Sequence, residues 1–169
     1  MTTIYIAEKP DIASAIAAYL WKDHATLRTK HCYQKGDIIV TWAYGHIMTP
    51  AMPEAYGKEY ADYSCYPVIP KTWKKHPSPS TKEQFDFIKN ALKTADVVIH
   101  GGDPDREGQL LVDEILDYVR YKGEVRRILI NAKDEDSIRR AFDKYSKNFI
   151  MSVGEPAGAV KNIHKVYQA

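Results

Sequence analysis

Residues 95–121 constrain the fold more than any other stretch of this chain. An apolar run at 96–100 passes through Gly101 and Gly102 into Asp103, Pro104, Asp105, Arg106 and Glu107. From there a helical pattern runs over 106–121, with Leu110, Leu111, Ile115, Leu116 and Val119 on one face. A buried strand that turns within a few residues into an amphipathic helix is half of a β-α-β unit. Such units build parallel sheets covered by helices.

The turn also carries chemistry. Asp103, Asp105 and Glu107 stand at alternate positions, and three acids so close repel one another unless a cation sits among them. Hard carboxylate oxygens suit Mg²⁺, which uses few protein groups and leaves room for a phosphate. In open α/β sheets ligands bind beyond the carboxyl ends of the strands, where this turn lies. The plainer alternative is a helix start dressed with acids to suit its dipole.

A second strand-to-helix turn lies at the beginning of the chain. Residues 3–7 read as a strand, Glu8, Lys9 and Pro10 follow, and 11–20 reads as a helix with Ile12, Ala15, Ile16 and Tyr19 on one face. In a parallel sheet the two turns can open onto one edge. Further on, 37–44 reads as a strand between Gly36 and Gly45, while 22–35 is polar and mixed. Residues 51–80 are rich in proline and tyrosine with little periodicity, so a long irregular excursion is expected over about 46–80. A helix over 81–94 with Phe85, Ile88, Ala91 and Leu92 as its stripe, a strand over 126–130 and a helix over 134–145 complete an alternating pattern. That pattern predicts an α/β fold with a mainly parallel central sheet flanked by helices.

Three runs resemble a known family. Ile6-Ala-Glu-Lys-Pro10 with Ala13 and Ile16, Trp42-Ala-Tyr-Gly-His46, and Gly102-Asp-Pro-Asp-Arg-Glu-Gly-Gln-Leu-Leu-Val-Asp-Glu114 look like the Toprim domain of type IA DNA topoisomerases, most of all the topoisomerase III branch. The resemblance implies a Toprim, Rossmann-like fold over 1–147. It also implies Asp103 and Asp105 as Mg²⁺ ligands, Glu8 completing the acids and acting as general acid/base, and Glu107 in support. A carboxyl crowded by others holds its proton to higher pH, which suits that exchange. Glu107 can instead serve only the helix dipole.

Lys9 matches the family's lysine beside the glutamate, and a compact cation suits a phosphate whose charge rises in the transition state. An ordinary ion pair with Glu8 is the alternative. Arg106 either plays a similar electrostatic part or balances its acidic neighbours. His46 is expected at DNA through a phosphate or sugar, or as a structural residue. Lys71, Trp73, Lys74 and Lys75 interleave cations with an aromatic, as single-stranded nucleic acid requires, unless Trp73 packs inward under a solvated loop. Asp113 and Glu114 are expected to face solvent or form salt bridges.

A type IA enzyme breaks one strand through a 5′-phosphotyrosine link, passes another strand and reseals the break, with Mg²⁺ and without ATP. Its tyrosine lies in a later domain, and none of the 12 tyrosines here falls in a segment resembling that site. The expected partners are therefore DNA, in single-stranded segments, and the remaining domains of a longer enzyme. Residues 148–169 depart from the family as a divergent tail or the start of a truncated domain. A free-standing Toprim nuclease or primase-like protein, or a non-catalytic DNA-binding remnant, are the alternatives.

Composition fits one domain. With 44% hydrophobic and 27% charged residues in 169, the chain can bury a core, and a net charge of +2 leaves any nucleic-acid contact to local patches. Cys32 and Cys65 show no metal-ligand spacing, so a reduced, cytoplasmic protein is expected. No secretory leader and no membrane partner are expected, since no apolar run reaches membrane-spanning length.

Overall fold

A computed structural model describes residues 1–61 and 69–147. The expected tail at 148–169 and Cys65 lie outside the described residues. The chain forms a five-stranded sheet in the order β2-β3-β1-β6-β7, with a separate two-stranded ribbon, β4-β5. The strands are β1 (Thr3–Ala7), β2 (Cys32–Lys35), β3 (Ile38–Trp42), β4 (Met48–Pro50), β5 (Lys75–Pro77), β6 (Val97–Gly101) and β7 (Glu124–Arg127). The helices are α1 (Pro10–Leu20), α2 (Lys82–Leu92), α3 (Arg106–Val119) and α4 (Glu135–Lys147). β1 pairs in parallel with both β3 and β6, β6 pairs in parallel with β7, and only β2 runs antiparallel at the edge. The fold is α/β, a mostly parallel sheet between helices.

Side-chain alternation along the strands divides the core in two. Ile4, Ile6, Ile39 and Val98 face α2 and α3, where they meet Phe85, Ile88, Leu92, Val112, Ile115 and Leu116. Tyr5, Ala7, Val40, Trp42, Val97 and Ile99 face α1 and α4, against Ala13, Ile16, Ala17, Ile138 and Ala141. Each large apolar side chain so buried contributes about 1.5–3 kcal/mol. A sheet buried on both faces explains why its central strands read as continuous apolar runs.

Several expectations shift. In α1 the buried residues are Ala13, Ile16 and Ala17, while Tyr19 is exposed and stacks on Phe142 with ring centroids 4.2 Å apart. In α3 Leu110 is exposed and Val112 takes its place inside. The polar stretch before Gly36 contains an edge strand, β2, joined to β3 through Gly36 at φ 57°. Within the excursion at 46–80 the described residues form the β4-β5 ribbon and 3-10 turns at Pro53–Ala55, Lys58–Ala61 and Pro79–Thr81. β7 spans Glu124–Arg127, ahead of the 126–130 expected, although Ile128 and Ile130 remain buried. No helix among the described residues is long and apolar enough to cross a membrane.

Candidate active site

β1 leads by way of α1 toward β3 on one side, and β6 leads by way of α3 to β7 on the other. The neighbouring carboxyl ends of β1 and β6 therefore diverge, leaving a crevice of the kind where open α/β sheets bind ligands. Ala7 stands opposite Gly101 in register, so Glu8 and Asp103 emerge beside one another. Glu8 is only 7% exposed, and its Oε2 accepts a hydrogen bond from the Asp103 amide at 3.3 Å. The Lys9 ammonium reaches both acids, lying 2.9 Å from Glu8 Oε1 and 3.5 Å from Asp103 Oδ2. A cation thus already stands among the acids, and it is the chain's own.

The turn after β6 is pressed against the first turn of α3. Asp105 is the N-cap of α3, and its Oδ1 accepts from the Gly108 amide at 2.7 Å. Such a cap is worth about 1 kcal/mol. Gly102 and Gly108 face each other across this turn. A Cβ on Gly102 would overlap the Gly108 carbonyl, and one on Gly108 would overlap the Asp103 backbone. The two glycines allow the acid turn to lie on the helix.

A third strand end joins the site. Ala43 donates to the Ala7 carbonyl and Gly45 to the Glu8 carbonyl, each at 3.0 Å. Tyr44 and Gly45 both take left-handed φ values, 57° and 72°, which turn the chain sharply after β3. For a residue as bulky as tyrosine that conformation is strained, by about 1–3 kcal/mol. The turn delivers His46 to α3, where its Nε2 lies 2.9 Å from Glu107 Oε1 with both side chains exposed. Glu107 is therefore engaged by His46 rather than gathered with the other acids. Among the described residues no group of three His, Cys, Asp or Glu side chains is drawn together as a metal cluster.

Carboxylate oxygens are the donor type that a hard divalent cation takes. Glu8 and Asp103 present such oxygens at adjoining strand ends and together attract the Lys9 charge, while Asp105 stands two residues on with its Oδ1 turned to the Gly108 amide. Burial and then the charge of Glu8 raise the Asp103 pKa above its usual 3.8, while Lys9 works against them. Between 3.8 and that raised value the folded protein holds a proton the unfolded chain has released. This contribution to stability is present below 3.8 and is lost as pH rises through the raised value. At neutral pH the ionised Asp103 is thus less favourable in the folded chain than in the unfolded one. Asp103→Asn is expected to raise the melting temperature in chelator at pH 7, with the gain shrinking as pH falls; thermal unfolding across pH checks this. A lower melting temperature at pH 7 would remove the crowding argument.

The other residues expected at DNA stand in or just before β5 and at the start of α3. Lys75 pairs with Glu114, two turns beyond Glu107 on α3. Lys74 donates to the Ala55 carbonyl at 2.8 Å and lies over the Tyr56 ring, and Trp73 meets the same ring edge-on. Trp73 is 64% exposed, so it does not pack inward. Lys71 and Arg106 are exposed. Sequence reasoning missed three buried polar residues behind the turn, His100, Gln109 and Arg127, which gather round Asp113, a residue expected in solvent or in a salt bridge and found half-buried beside His100. The one signal for them was a histidine closing an apolar strand and an arginine within the strand that follows.

Residues 3–133 match the family model described as the Toprim domain. The chain belongs to the Toprim family. Among its relatives are DNA topoisomerase 3 of Salmonella typhimurium, 41% identical over 159 residues, and that of Bacillus subtilis, 33% identical over 147. These matches cover 86% and 84% of this Toprim chain but only 23% and 20% of the relatives. The chain thus spans about a quarter or less of the length of the curated proteins it matches. The full-length topoisomerase I of Thermotoga maritima shares the Toprim fold at a TM-score of 0.52 and 18% identity, over 83% of this chain and 20% of that one.

Proposed function

We propose that this Toprim chain is the acid-bearing, Mg²⁺-holding unit of a type IA, topoisomerase III-like DNA topoisomerase. The whole enzyme breaks one DNA strand, passes another through the gap and rejoins it without ATP, in the cytoplasm. The observation that carries the reading is the meeting of Glu8, Lys9 and Asp103 at the diverging ends of β1 and β6. Breaking a phosphodiester through a tyrosine releases a sugar oxygen that must take a proton, and rejoining must remove it. Glu8, poorly exposed and fixed by the Asp103 amide, is the group that gives and takes it. Lys9 faces the phosphate and offsets its charge in the transition state.

Asp103 and Asp105 would hold Mg²⁺, joined by Glu8 and supported by Glu107. When bound, the ion supplies positive charge that positions the DNA phosphates and offsets their repulsion. His46, Arg106, Lys71, Lys74 and Lys75 contact the backbone of single-stranded DNA, and Trp73 stacks on a base. The tyrosine nucleophile belongs to other domains, so this chain alone binds metal and DNA weakly and relaxes nothing.

The test is calorimetric titration of Mg²⁺ into the chain and into its Asp103→Asn/Asp105→Asn variant. A dissociation constant on the order of 1 mM in the first, lost in the second, is the expected result. Equal heats in both proteins would remove the cation from these acids. Cleavage of DNA or primer synthesis by the chain alone would favour a free-standing nuclease or primase instead.

A further inference from the structure

Behind the acid turn, four polar side chains sit where the proposed chemistry makes no use of them. His100 lies within β6 with no exposure, and Arg127 stands beside it in register at the end of β7. Gln109 and Asp113, one turn apart on α3, close the group from the other side and are joined by a 2.8 Å hydrogen bond. The Nδ1 of His100 meets the Gly102 amide at 3.3 Å and the Arg127 guanidinium. Both of these are donors, and neither can accept. Nδ1 therefore carries a lone pair, and the ring hydrogen is on Nε2. That nitrogen lies 3.1 Å from the Gln109 carbonyl and 3.5 Å from Asp113 Oδ1, both acceptors. The ring is neutral, and burial with the Arg127 charge lowers its pKa. Arg127 in turn donates to the Asp103 carbonyl at 2.7 Å.

These bonds form one path from the sheet to the acid turn. We propose that His100 is the positioning residue of the site: its Nδ1 holds the Gly102 amide and aims Arg127 at the Asp103 carbonyl, which sets Asp103 against Glu8. The inference rests on the reading of Asp103 as a site acid. Ligand-orienting groups of this kind typically change metal affinity by 10–100-fold when removed.

Two variants separate the two ring nitrogens. In His100→Asn the side-chain oxygen stands near the place of Nδ1 and keeps the acceptor. In His100→Gln the longer amide reaches the place of Nε2 and drops the near acceptor. Amide spectra of the ¹⁵N-labelled chain, ring-nitrogen shifts, melting temperatures and Mg²⁺ titration are read together. The wild-type ring is expected as the Nε2–H tautomer. The Gly102 and Asp103 amides, which lose the ring current in both variants, should move further in His100→Gln than in His100→Asn. The Mg²⁺ dissociation constant should rise roughly tenfold in His100→Gln and little in His100→Asn. Equal amide changes in the two variants, changes that merely follow the loss of melting temperature, or an Nδ1–H ring would each overturn the proposal. If wild type binds no Mg²⁺, the metal reading fails by itself, and the amide comparison still decides the role of His100.

Discussion

Alanine at Gly108 is expected to destabilise the protein by about 3 kcal/mol and to lower its melting temperature by roughly 10 °C. The added Cβ would overlap the backbone nitrogen and oxygen of Asp103 and lie 2.8 Å from its Cα. Backbone cannot step aside as a flexible side chain can. The turn is held from behind by Arg127 on the Asp103 carbonyl and from the front by Glu8 on the Asp103 amide. Relief would have to come from moving α3 off the sheet, with Val112, Ile115 and Leu116 aboard. Gly36→Ala is the control. It meets nothing within 4 Å, yet holds φ at +57°, so only local strain of about 1–2 kcal/mol is expected there. Circular-dichroism melts of both variants decide the matter. A Gly108 variant no worse than the Gly36 variant would mean that turn and helix are not in backbone contact.

The second large effect is on chemistry. In a chimera that carries residues 1–147 in place of the matching segment of the Salmonella typhimurium enzyme, Glu8→Gln is expected to slow strand breakage and rejoining about 10²–10⁴-fold. Glutamine keeps the shape of the side chain and an oxygen for the Asp103 amide, so the fold should survive. What it loses is the exchangeable proton and the charge that pairs with Lys9. Plasmid relaxation, with melting temperature as the folding control, gives the measurement. Unchanged relaxation would take Glu8 out of the reaction, whatever its part in holding metal.

The strand-turn-helix units around Glu8 and Asp103 are legible in the amino-acid sequence, because an apolar run, a glycine pair and a helical stripe are local patterns. The apolar stripe of α2 is legible for the same reason, through Phe85, Ile88 and Leu92. β2 is not. An edge strand with Gln34 and Lys35 in solvent has little to distinguish it from a polar loop. The three-residue strands of the ribbon are too short to show a period, and their pairing joins Met48 to Pro77 across the excursion. The partners of the acids are hidden for another reason. Glu107 meets His46 from 61 positions away, and Arg127 reaches His100 only because β6 and β7 pair in one register. Slipping that pairing by one residue would turn Arg127 toward the opposite face.

β1 is the first strand of the chain and the central strand of the sheet, between β3 and β6. Its second neighbour begins only at Val97. At a synthesis rate of roughly 5–20 residues per second, the Thr3–Ala7 segment waits on the order of 5–20 s before both its edges can be covered. During that interval an apolar strand is open to pairing with another copy of itself. The crevice between Glu8 and Asp103, closed across 95 residues, is among the last features of the sheet to exist. The pairing of β1 with β6 that completes the centre of the sheet is therefore the same event that brings Glu8 and Asp103 together, so only chains whose long-range pairing is complete carry the acid pair.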